Sequence, residues 1–419
     1  MFKEKPIFIS LSPNTERDDV ILALKLLFQP WKWKKKASFL EEEFKNYFKV
    51  KHAISFNSGR SALMAILSAL NLKEGDEVLV QAFTCNALIN PIIWSKLKPV
   101  FVDCEKETLN LNVEDLKRKI TSKSRVLIIQ HTFGLPSNLK EILKVCKEKN
   151  LILIEDCAHS LGATFEGKKI GTFSNVAFFS FGRDKIISSV FGGMVITNDE
   201  KVAQKLKEFW EKIDQPSSFW ILQQILYPIL VEIIIKPLYN FFGIGKGLLF
   251  ICQKLKILSK AVTKKEKRGE NPNYFPKKMP FALAILAKNQ FKKLEKFNKH
   301  REKIAKIYEK ELRDLNLVLP KNQEGRVWMR YPLIFNFETE FLLRELSKNG
   351  IFLNDGWRGK PIVPPDTDQE KMGYKYGSCP IAEKIVKNIL NLPTNIQVSE
   401  KEAKRICQKI KEILNKNEG

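Results

Sequence analysis

The sequence predicts an α/β fold: a large domain with a mostly parallel central sheet flanked by helices, followed by a small C-terminal α+β domain. Short apolar runs of strand length alternate with amphipathic helical patterns over residues 53–199. The runs are almost continuously apolar, as in LILI at 151–154, which is typical of parallel strands covered on both faces. With 419 residues, the chain is long enough for a large core and a smaller module.

The first half of the chain supplies most of the sheet. A helix is expected over about 38–48, with Ser38 as its N-cap and Glu41 as its capping-box partner. After a strand at 53–56, a Ser-Gly turn leads into an apolar helix from about Ser61 to Leu70. The elements that follow alternate as strand EVLVQAF, helix 87–94, strand PVFVDC, helix 113–120, strand RVLIIQHTFG, helix 138–149 and strand LILIEDC.

The stretch 151–199 carries the most informative polar residues. One apolar run ends in Glu155-Asp156, and a second, 176–181, contains Ser180 and leads directly to Lys185. Ligands of such folds bind at the carboxyl ends of the strands, so residues that follow strands can converge there. Phe83, His131, Asp156 and Lys185 all occupy such positions.

Composition limits the partners and the compartment. The formal charge is +24 and the pI near 9.6, which favours anionic partners, including phosphorylated substrates. Because zinc-finger spacing and RNA-binding signatures are missing, we expect no nucleic acid partner, and DNA binding is the weakest alternative. Seven widely spaced cysteines without a CxxC, and an N-terminus without a long apolar core, predict a reduced, cytoplasmic chain.

Residues 206–277 interrupt the pattern and predict an insertion. The segment 219–235 is strongly apolar with one charge, Glu232, and its flank at 254–268 is basic. An apolar segment beside lysines predicts association with the cytoplasmic membrane face, peripheral or monotopic. A buried insertion or a subunit contact is the alternative. On the membrane interpretation, deleting 217–260 should release the protein from membranes and leave cofactor binding intact.

Residues 278–419 predict a long charged helix from about Phe281 and then the small domain. Its elements are a strand in VWMRYPLIFNF, a helix closed by Gly350, a strand in IFLNDG, and further segments at 381–390 and 400–414. The large cofactor-binding domain is accordingly expected at 1–205.

A lysine and a carboxylate at neighbouring strand ends suit pyridoxal 5'-phosphate. Lys185 can bond covalently to the cofactor's aldehyde, and Asp156 can keep the pyridine nitrogen protonated. The phosphate requires donors at a helix N-terminus, which the run Ser58-Gly59-Arg60-Ser61 supplies as backbone N–H groups, a hydroxyl and a guanidinium. Ser180 adds a further hydroxyl. No metal ligand set is expected.

Several longer motifs point to a specific protein family. They are FNSGRSAL, EVLVQAFT, PVFVDCEKETLNLN, HTFGLP, EDCAHSLGATFEGKKIGTFSN, FFSFGRDK followed by GG, KNQFKKLEKFNKHREKIAKIYEKEL and NILNLPTN. With these motifs the chain resembles the DegT/StrS group of sugar aminotransferases, which are fold-type I pyridoxal phosphate enzymes with the aspartate aminotransferase-like fold. The similarity covers roughly residues 30–205 and 278–415.

The resemblance implies a role for each matching residue. Lys185 matches the family's cofactor-binding lysine, and Asp156 matches the partner of the pyridine nitrogen. His159 stands where the family has Gln or His against the cofactor's phenolic oxygen. The remaining matches are phosphate ligands: Arg60 and Ser61 after Gly59, and Ser180.

Three positions depart from the family pattern. Cys85 stands where the family usually has an aromatic residue stacked on the cofactor ring, and Phe83 lies two residues away. The Gly-Tyr-Asn motif that reaches the neighbouring subunit's phosphate is replaced by NPNYFPKKMP, in which Lys277 or Lys278 could substitute. Arg60 replaces a common Thr and would give the phosphate a charged partner.

By resemblance, the expected activity is pyridoxal phosphate-dependent transfer of an amino group, with glutamate as donor, to a nucleotide-linked keto sugar in surface glycan biosynthesis. A homodimer with shared active sites is also implied. Two alternatives stay open: a sugar dehydratase of the same family, although those relatives lack the cofactor-binding lysine, and a non-catalytic membrane-associated protein that retains the fold.

Overall fold

A seven-stranded sheet forms the centre of the molecule. In chain order its strands are β1 (His52–Phe56), β2 (Glu77–Gln81), β3 (Lys98–Val102), β4 (Ser124–Gln130), β5 (Ile152–Asp156), β6 (Val176–Ser180) and β7 (Gly193–Thr197). Their spatial order is β1-β7-β6-β5-β4-β2-β3. Strand β7 is antiparallel to β1 and β6, and the other pairs are parallel. This topology confirms the predicted, mostly parallel sheet. The computed structural model describes residues 5–35, 37–239, 241 and 243–418.

Helices cover both faces of the sheet. The α-helices of the described residues are Arg17–Leu27, Ser38–Phe48, Gly59–Ala69, Asn86–Trp94, Val113–Lys119, Leu139–Lys149, Glu200–Lys212, Ser218–Leu230, Lys236–Leu238, Ile244–Lys254, Lys264–Lys267, Phe281–Phe291, Leu294–Leu312, Glu340–Lys348, Pro380–Asn388 and Glu400–Glu418. Short 3-10 turns lie at Pro30–Lys32 and Thr132–Gly134.

Strand β4 shows why the central strands read as continuous apolar runs. Its Leu127 and Ile129 join the hydrophobic cluster on one face of the sheet, and Val126 and Ile128 join the cluster on the other. Successive side chains of a strand point to opposite faces, so a strand covered on both sides needs apolar residues at every position.

The helix Ser38–Phe48 forms as predicted, but its predicted cap does not. Its N-cap is Ala37, and Ser38 is already the first helical residue. Glu41 instead accepts hydrogen bonds from the backbone N–H of Ser55 at 2.9 Å and from its hydroxyl at 2.8 Å. The carboxylate therefore links the helix to β1, and this tertiary contact replaces the predicted capping box.

The apolar segment of residues 206–277 packs largely inside the protein. Its helix begins at Ser218 and continues through a π-turn, Val231–Ile235, to Leu238. Of the described helices it is the one long and apolar enough to cross a membrane, but 56% of its most apolar window is buried. It packs against the helices Arg17–Leu27 and Phe281–Phe291. Membrane association of this helix is therefore not supported, and the alternative of a buried insertion describes it.

The small domain is built on an antiparallel pair, Arg330–Ile334 with Ile389–Pro393, and the helices around it. Residues 7–9 also lie here, because Ile7–Phe8 pairs in parallel with Ile351–Phe352 and Ile7 and Ile9 join the domain's apolar cluster. Nothing in residues 5–9 alone indicates a partner more than 300 residues away. The remaining two-stranded pairs are Thr84–Cys85 with Ile362–Val363 and Thr164–Phe165 with Lys168–Lys169.

Candidate active site

The sheet brings the predicted residues together at one edge. Strands β5 and β6 are parallel and end at Asp156 and Ser180, so both side chains stand at the carboxyl edge. Lys185 follows Ser180 by five residues, in the turn held by a bond from its backbone N–H to the carbonyl of Gly182 at 3.1 Å. Lys185, Asp156, His159 and Ser180 all line one cavity of about 570 Å³.

Lys185 contacts His159 directly, with 3.0 Å between its Nζ and the His159 Nε2. The other ring nitrogen, Nδ1, accepts a bond from the backbone N–H of Phe133 at 3.4 Å. Burial, followed by the charges of Lys185 and Arg330, holds the pKa of His159 well below its usual range, so the imidazole is neutral. One ring nitrogen is thus held by the backbone, and the other faces the amine of Lys185.

Packing fixes the orientation of His159. Its ring lies nearly parallel to that of Phe133, with centroids 5.6 Å apart, and meets the edge of Trp357 at 4.9 Å. Trp357 lines the cavity as well, whereas Phe83 lies behind it in the same aromatic cluster and does not line it. Phe83, although two residues from Cys85 in sequence, is therefore not among the residues that line the cavity.

Asp156 is poised to bind a cation. Its side chain is buried, and Oδ1 accepts one backbone bond, from Ala158 at 2.9 Å. Burial raises its pKa to about 6, against the opposing influence of Ala158 and Lys185. A protonated ring nitrogen beside this carboxylate would supply the missing counter-charge.

The neighbouring Glu155 has a structural role. Its carboxylate accepts bonds from the backbone N–H groups of Gly171, Phe173 and Ser174 at 2.7 to 2.9 Å and from the Ser174 hydroxyl at 2.8 Å. Its Oε1 also lies 3.5 Å from Nε2 of His131. His131, Glu155 and Cys157 lie close together, but this carboxylate is already saturated and fastens the loop after β5. His131 therefore serves Glu155 and not the cavity.

A helix N-terminus faces the cavity where a phosphate was expected. Strand β1 leads to the helix Gly59–Ala69, whose N-cap Ser58 accepts a bond from the backbone N–H of Ser61 at 3.1 Å. A Cβ on Gly59 would lie 3.1 Å from that of Ser180, and one on Gly193 would lie 2.5 Å from the Ser58 carbonyl carbon. Glycine at both positions thus lets the N-terminus reach the strand ends, and the freed N–H groups can bind an anion.

Three of the predicted cofactor-binding residues also interact with other groups of the protein. Ser61 does not line the cavity, and its hydroxyl donates to Oδ1 of Asn57 at 2.6 Å. Arg60 lines the cavity, but its Nε pairs with the buried carboxylate of Glu266 at 2.8 Å. Cys85 lines the cavity and caps the helix Asn86–Trp94, with its sulfur accepting from the Ala87 N–H at 3.5 Å. Burial raises the pKa of its thiol.

Several residues in or behind the cavity escaped prediction because the partners that position them are distant in sequence. Asp184 and Asp355 both line the cavity and pair with the buried Arg330 of the small domain, each at 3.3 Å. Behind Lys185, the buried Arg301 donates to the Ile186 carbonyl at 2.9 Å and to Oδ1 of Asn14 at 2.6 Å. The sequence signals were the motif FFSFGRDK, which contains Asp184, and the long helix motif, which contains Arg301.

These features fit pyridoxal phosphate: an amine for its aldehyde, a buried carboxylate for its ring nitrogen, and free N–H groups for its phosphate. A central sheet with one antiparallel strand and a lysine beyond β6 defines the class, a pyridoxal phosphate enzyme with the aspartate aminotransferase-like fold. The model of the DegT/DnrJ/EryC1/StrS aminotransferase family matches residues 28–213 and 251–411. The chain belongs to this family and is a pyridoxal phosphate-dependent aminotransferase.

Individual relatives and solved structures are similar to the chain over most of its length. The chain is 32% identical over 395 residues to an uncharacterized protein of Methanocaldococcus jannaschii, covering 90% of this chain and 89% of that protein. It is 28% identical to the GDP-perosamine synthase of Vibrio cholerae, with 90% of each covered. Among solved structures, the Escherichia coli GDP-4-keto-6-deoxy-D-mannose-3-dehydratase with bound hydrated PLP superposes with a TM-score of 0.74 at 21% identity, covering 97% of this chain and 100% of that one.

Proposed function

We propose that the protein transfers an amino group from glutamate to a nucleotide-linked keto sugar, as a step in surface glycan biosynthesis. The observation that carries the proposal is the amine of Lys185 held 3.0 Å from a neutral His159, in one cavity with the buried Asp156. The similarity to a GDP-perosamine synthase supports a nucleotide-linked sugar as the substrate class. The cationic chain, at +24, favours a substrate that carries a diphosphate.

Each residue has a defined task. When bound, the cofactor supplies an electron-withdrawing ring that stabilises negative charge at the reacting carbon. Asp156 would hold the ring nitrogen in its protonated form, and Nζ of Lys185 would act as the general base and acid at the substrate carbon. His159 orients the lysine amine, and the backbone N–H groups at Gly59 hold the phosphate.

The first experiment is spectroscopic. Purified protein supplied with pyridoxal phosphate should show the absorbance of cofactor bound covalently to a lysine, and glutamate should convert it to the aminated form. Lys185→Ala should lose both signals. Lys254→Ala, at an exposed lysine outside the cavity, is the control and should keep both. A Lys185→Ala protein with unchanged spectra would refute the assignment.

The dehydratase alternative rests on the similar fold of the E. coli enzyme. The two activities differ in their products, because transamination adds nitrogen to the sugar and dehydration removes water from it. Incubation with glutamate and a panel of nucleotide-linked keto sugars, followed by mass measurement, separates them. A folded protein that binds the cofactor and gives neither product would favour the non-catalytic alternative.

A homodimer and a peripheral membrane contact belong to the proposal as well. Exposed apolar side chains on residues 241–255, among them Phe250 at 65% and Leu255 at 64%, lie beside Lys246 and Lys254. Such a surface suits insertion between anionic headgroups. Phe250→Ser with Leu255→Ser should abolish sedimentation with anionic vesicles; a dimer that dissociates instead would assign the surface to a second copy.

The structure also revises the deletion test. Residues 217–260 include Leu249, Gln253 and Lys260, which line the cavity, and a helix buried in the core. Removing them would open the active site as well as the proposed membrane surface. Point substitutions on the exposed face are therefore the suitable experiment.

A further inference from the structure

Arg183, two residues before Lys185, is a buried cation in the cofactor cavity. It is 8% exposed and lines the cavity. Its Nη2 donates to the Ser259 carbonyl at 2.7 Å and to the Ser259 hydroxyl at 2.5 Å, and its guanidinium carbon lies 4.0 Å from the centre of the Tyr227 ring. These partners are neutral, and Nε has no hydrogen-bond partner within the described residues.

The neighbouring carboxylate favours this charge electrostatically but forms its ion pair with another arginine. Asp184, the adjacent residue, pairs with Arg330 at 3.3 Å. Burying a guanidinium without a counter-ion is costly, so a buried arginine normally has a carboxylate or binds an anionic ligand. The free Nε and the cavity position of Arg183 indicate the second case.

The other cations expected to meet a phosphate are already engaged. Arg60 pairs with Glu266, and its Nη2 donates to the Ala261 carbonyl at 3.0 Å. Lys277 pairs with Asp214 at 3.2 Å, and Lys278 lies 4.2 Å from the centre of the Trp210 ring. Neither lysine is among the described residues that line the cavity.

We propose that Arg183 is the guanidinium that binds a phosphoryl group in this cavity. The fork of an arginine matches phosphate oxygens, and the helix N-terminus at Gly59 adds N–H donors to the same cavity. Ser259 and Ala261, held by Arg183 and Arg60, fix the backbone on both sides of Lys260, whose exposed side chain lines the rim as a second cation. The phosphoryl group belongs either to the cofactor or, if the proposed function holds, to the nucleotide-linked substrate.

Equilibrium binding distinguishes the two sources. Apoprotein of the wild type, Arg183→Gln and Arg183→Lys is titrated with pyridoxal phosphate and with pyridoxal, which lacks the phosphate. The holoproteins are then titrated calorimetrically with inorganic diphosphate. Lys254→Gln removes an exposed charge outside the cavity and serves as the control; thermal unfolding establishes that each variant is folded.

Two results support the proposal. If the cofactor's phosphate is the ligand, Arg183→Gln lowers the affinity for pyridoxal phosphate at least about tenfold and leaves the affinity for pyridoxal unchanged. If the substrate's phosphate is the ligand, cofactor binding stays and diphosphate binding weakens at least about tenfold. Arg183→Lys, which keeps the charge, should lose less in either case.

If folded Arg183→Gln binds pyridoxal phosphate and diphosphate as tightly as the wild type, the proposal is overturned. A change confined to the KM for glutamate would also overturn it, because it would assign Arg183 to a carboxylate. If Arg183→Gln does not fold, the folded Arg183→Lys decides by the same criteria. A wild-type protein that binds neither pyridoxal phosphate nor diphosphate refutes the site. The binding titrations need no turnover, so an inactive wild type that still shows the expected binding would refute the proposed function alone.

Discussion

Replacing Asp156 by Asn should stabilise the cofactor-free protein while weakening the cofactor's hold. Burial raises the Asp156 pKa from 3.8 to about 6, so the folded state disfavours the charged carboxylate. This cost is absent below pH 3.8, grows as the pH rises from 3.8 to 6, and is complete above 6. The shift corresponds to about 3 kcal/mol at pH 8 and about half of that at pH 5.

Urea unfolding of the two apoproteins at pH 5 and pH 8 measures this difference. The Asn variant can still accept the Ala158 N–H bond through its side-chain oxygen, so the comparison isolates the charge. Pyridoxal phosphate should raise the melting temperature of the wild type more than that of the variant, because only the carboxylate pairs with a protonated ring.

Glu155→Gln is the matched control, since it removes a neighbouring buried carboxylate whose pKa is lowered and not raised. Burial would raise the pKa of Glu155, but the hydrogen bond and charge of His131 and the Gly171 N–H lower it. This variant should be destabilised at pH 8 by about 1–3 kcal/mol. An Asp156→Asn apoprotein no more stable than wild type at pH 8, or a difference independent of pH, would refute the reasoning.

Three further substitutions test the frame of the site. Gly193→Ala places a Cβ 2.5 Å from Ser58, so it should cost about 1–3 kcal/mol in urea unfolding and weaken cofactor binding, whereas Gly247→Ala, with nothing within 4 Å, should be neutral or stabilising. Arg301→Gln removes the bonds behind Lys185 and should lower kcat more than it raises KM, with cofactor still bound; an equal change in both would contradict a positioning role. Trp357→Ala should cost about 3 kcal/mol and broaden the pH dependence of the cofactor spectrum, since His159 loses its packing; an unchanged spectrum would contradict this.

Much of the cofactor site was predictable because its residues lie close together in sequence. Strand β5 ends at Asp156 and β6 at Ser180, and parallel neighbours place both ends at one edge. The spacing from a strand end to Lys185 is a local property, and local patterns encode it directly. The helix N-terminus at Gly59 is local as well, since Ser58 caps it from one residue away.

Local patterns misled where a long-range contact competed. Glu41 was expected to cap its own helix and instead binds Ser55 in β1. Arg60 was expected to meet a phosphate, but Glu266, some 200 residues later, supplies a buried carboxylate. The apolar helix at 218–238 has the composition of a membrane segment, yet packing against two other helices buries much of it. Composition records that a surface is apolar and not what covers it.

The sequence by itself determined the sheet and the cofactor, and it predicted which residues hold that cofactor, because these depend on strand periodicity and on short spacings. Only the tertiary structure decided which cations stay available to an anion, since that depends on carboxylates brought from distant parts of the chain. It shows Arg60 paired with Glu266, and Arg183 buried with its Nε free of hydrogen bonds among the described residues. The same packing places Ser259 and Lys260 of the 206–277 segment at the cavity that contains Lys185. Ion pairing and burial are properties of the folded neighbourhood, and the order of residues along the chain does not reveal them.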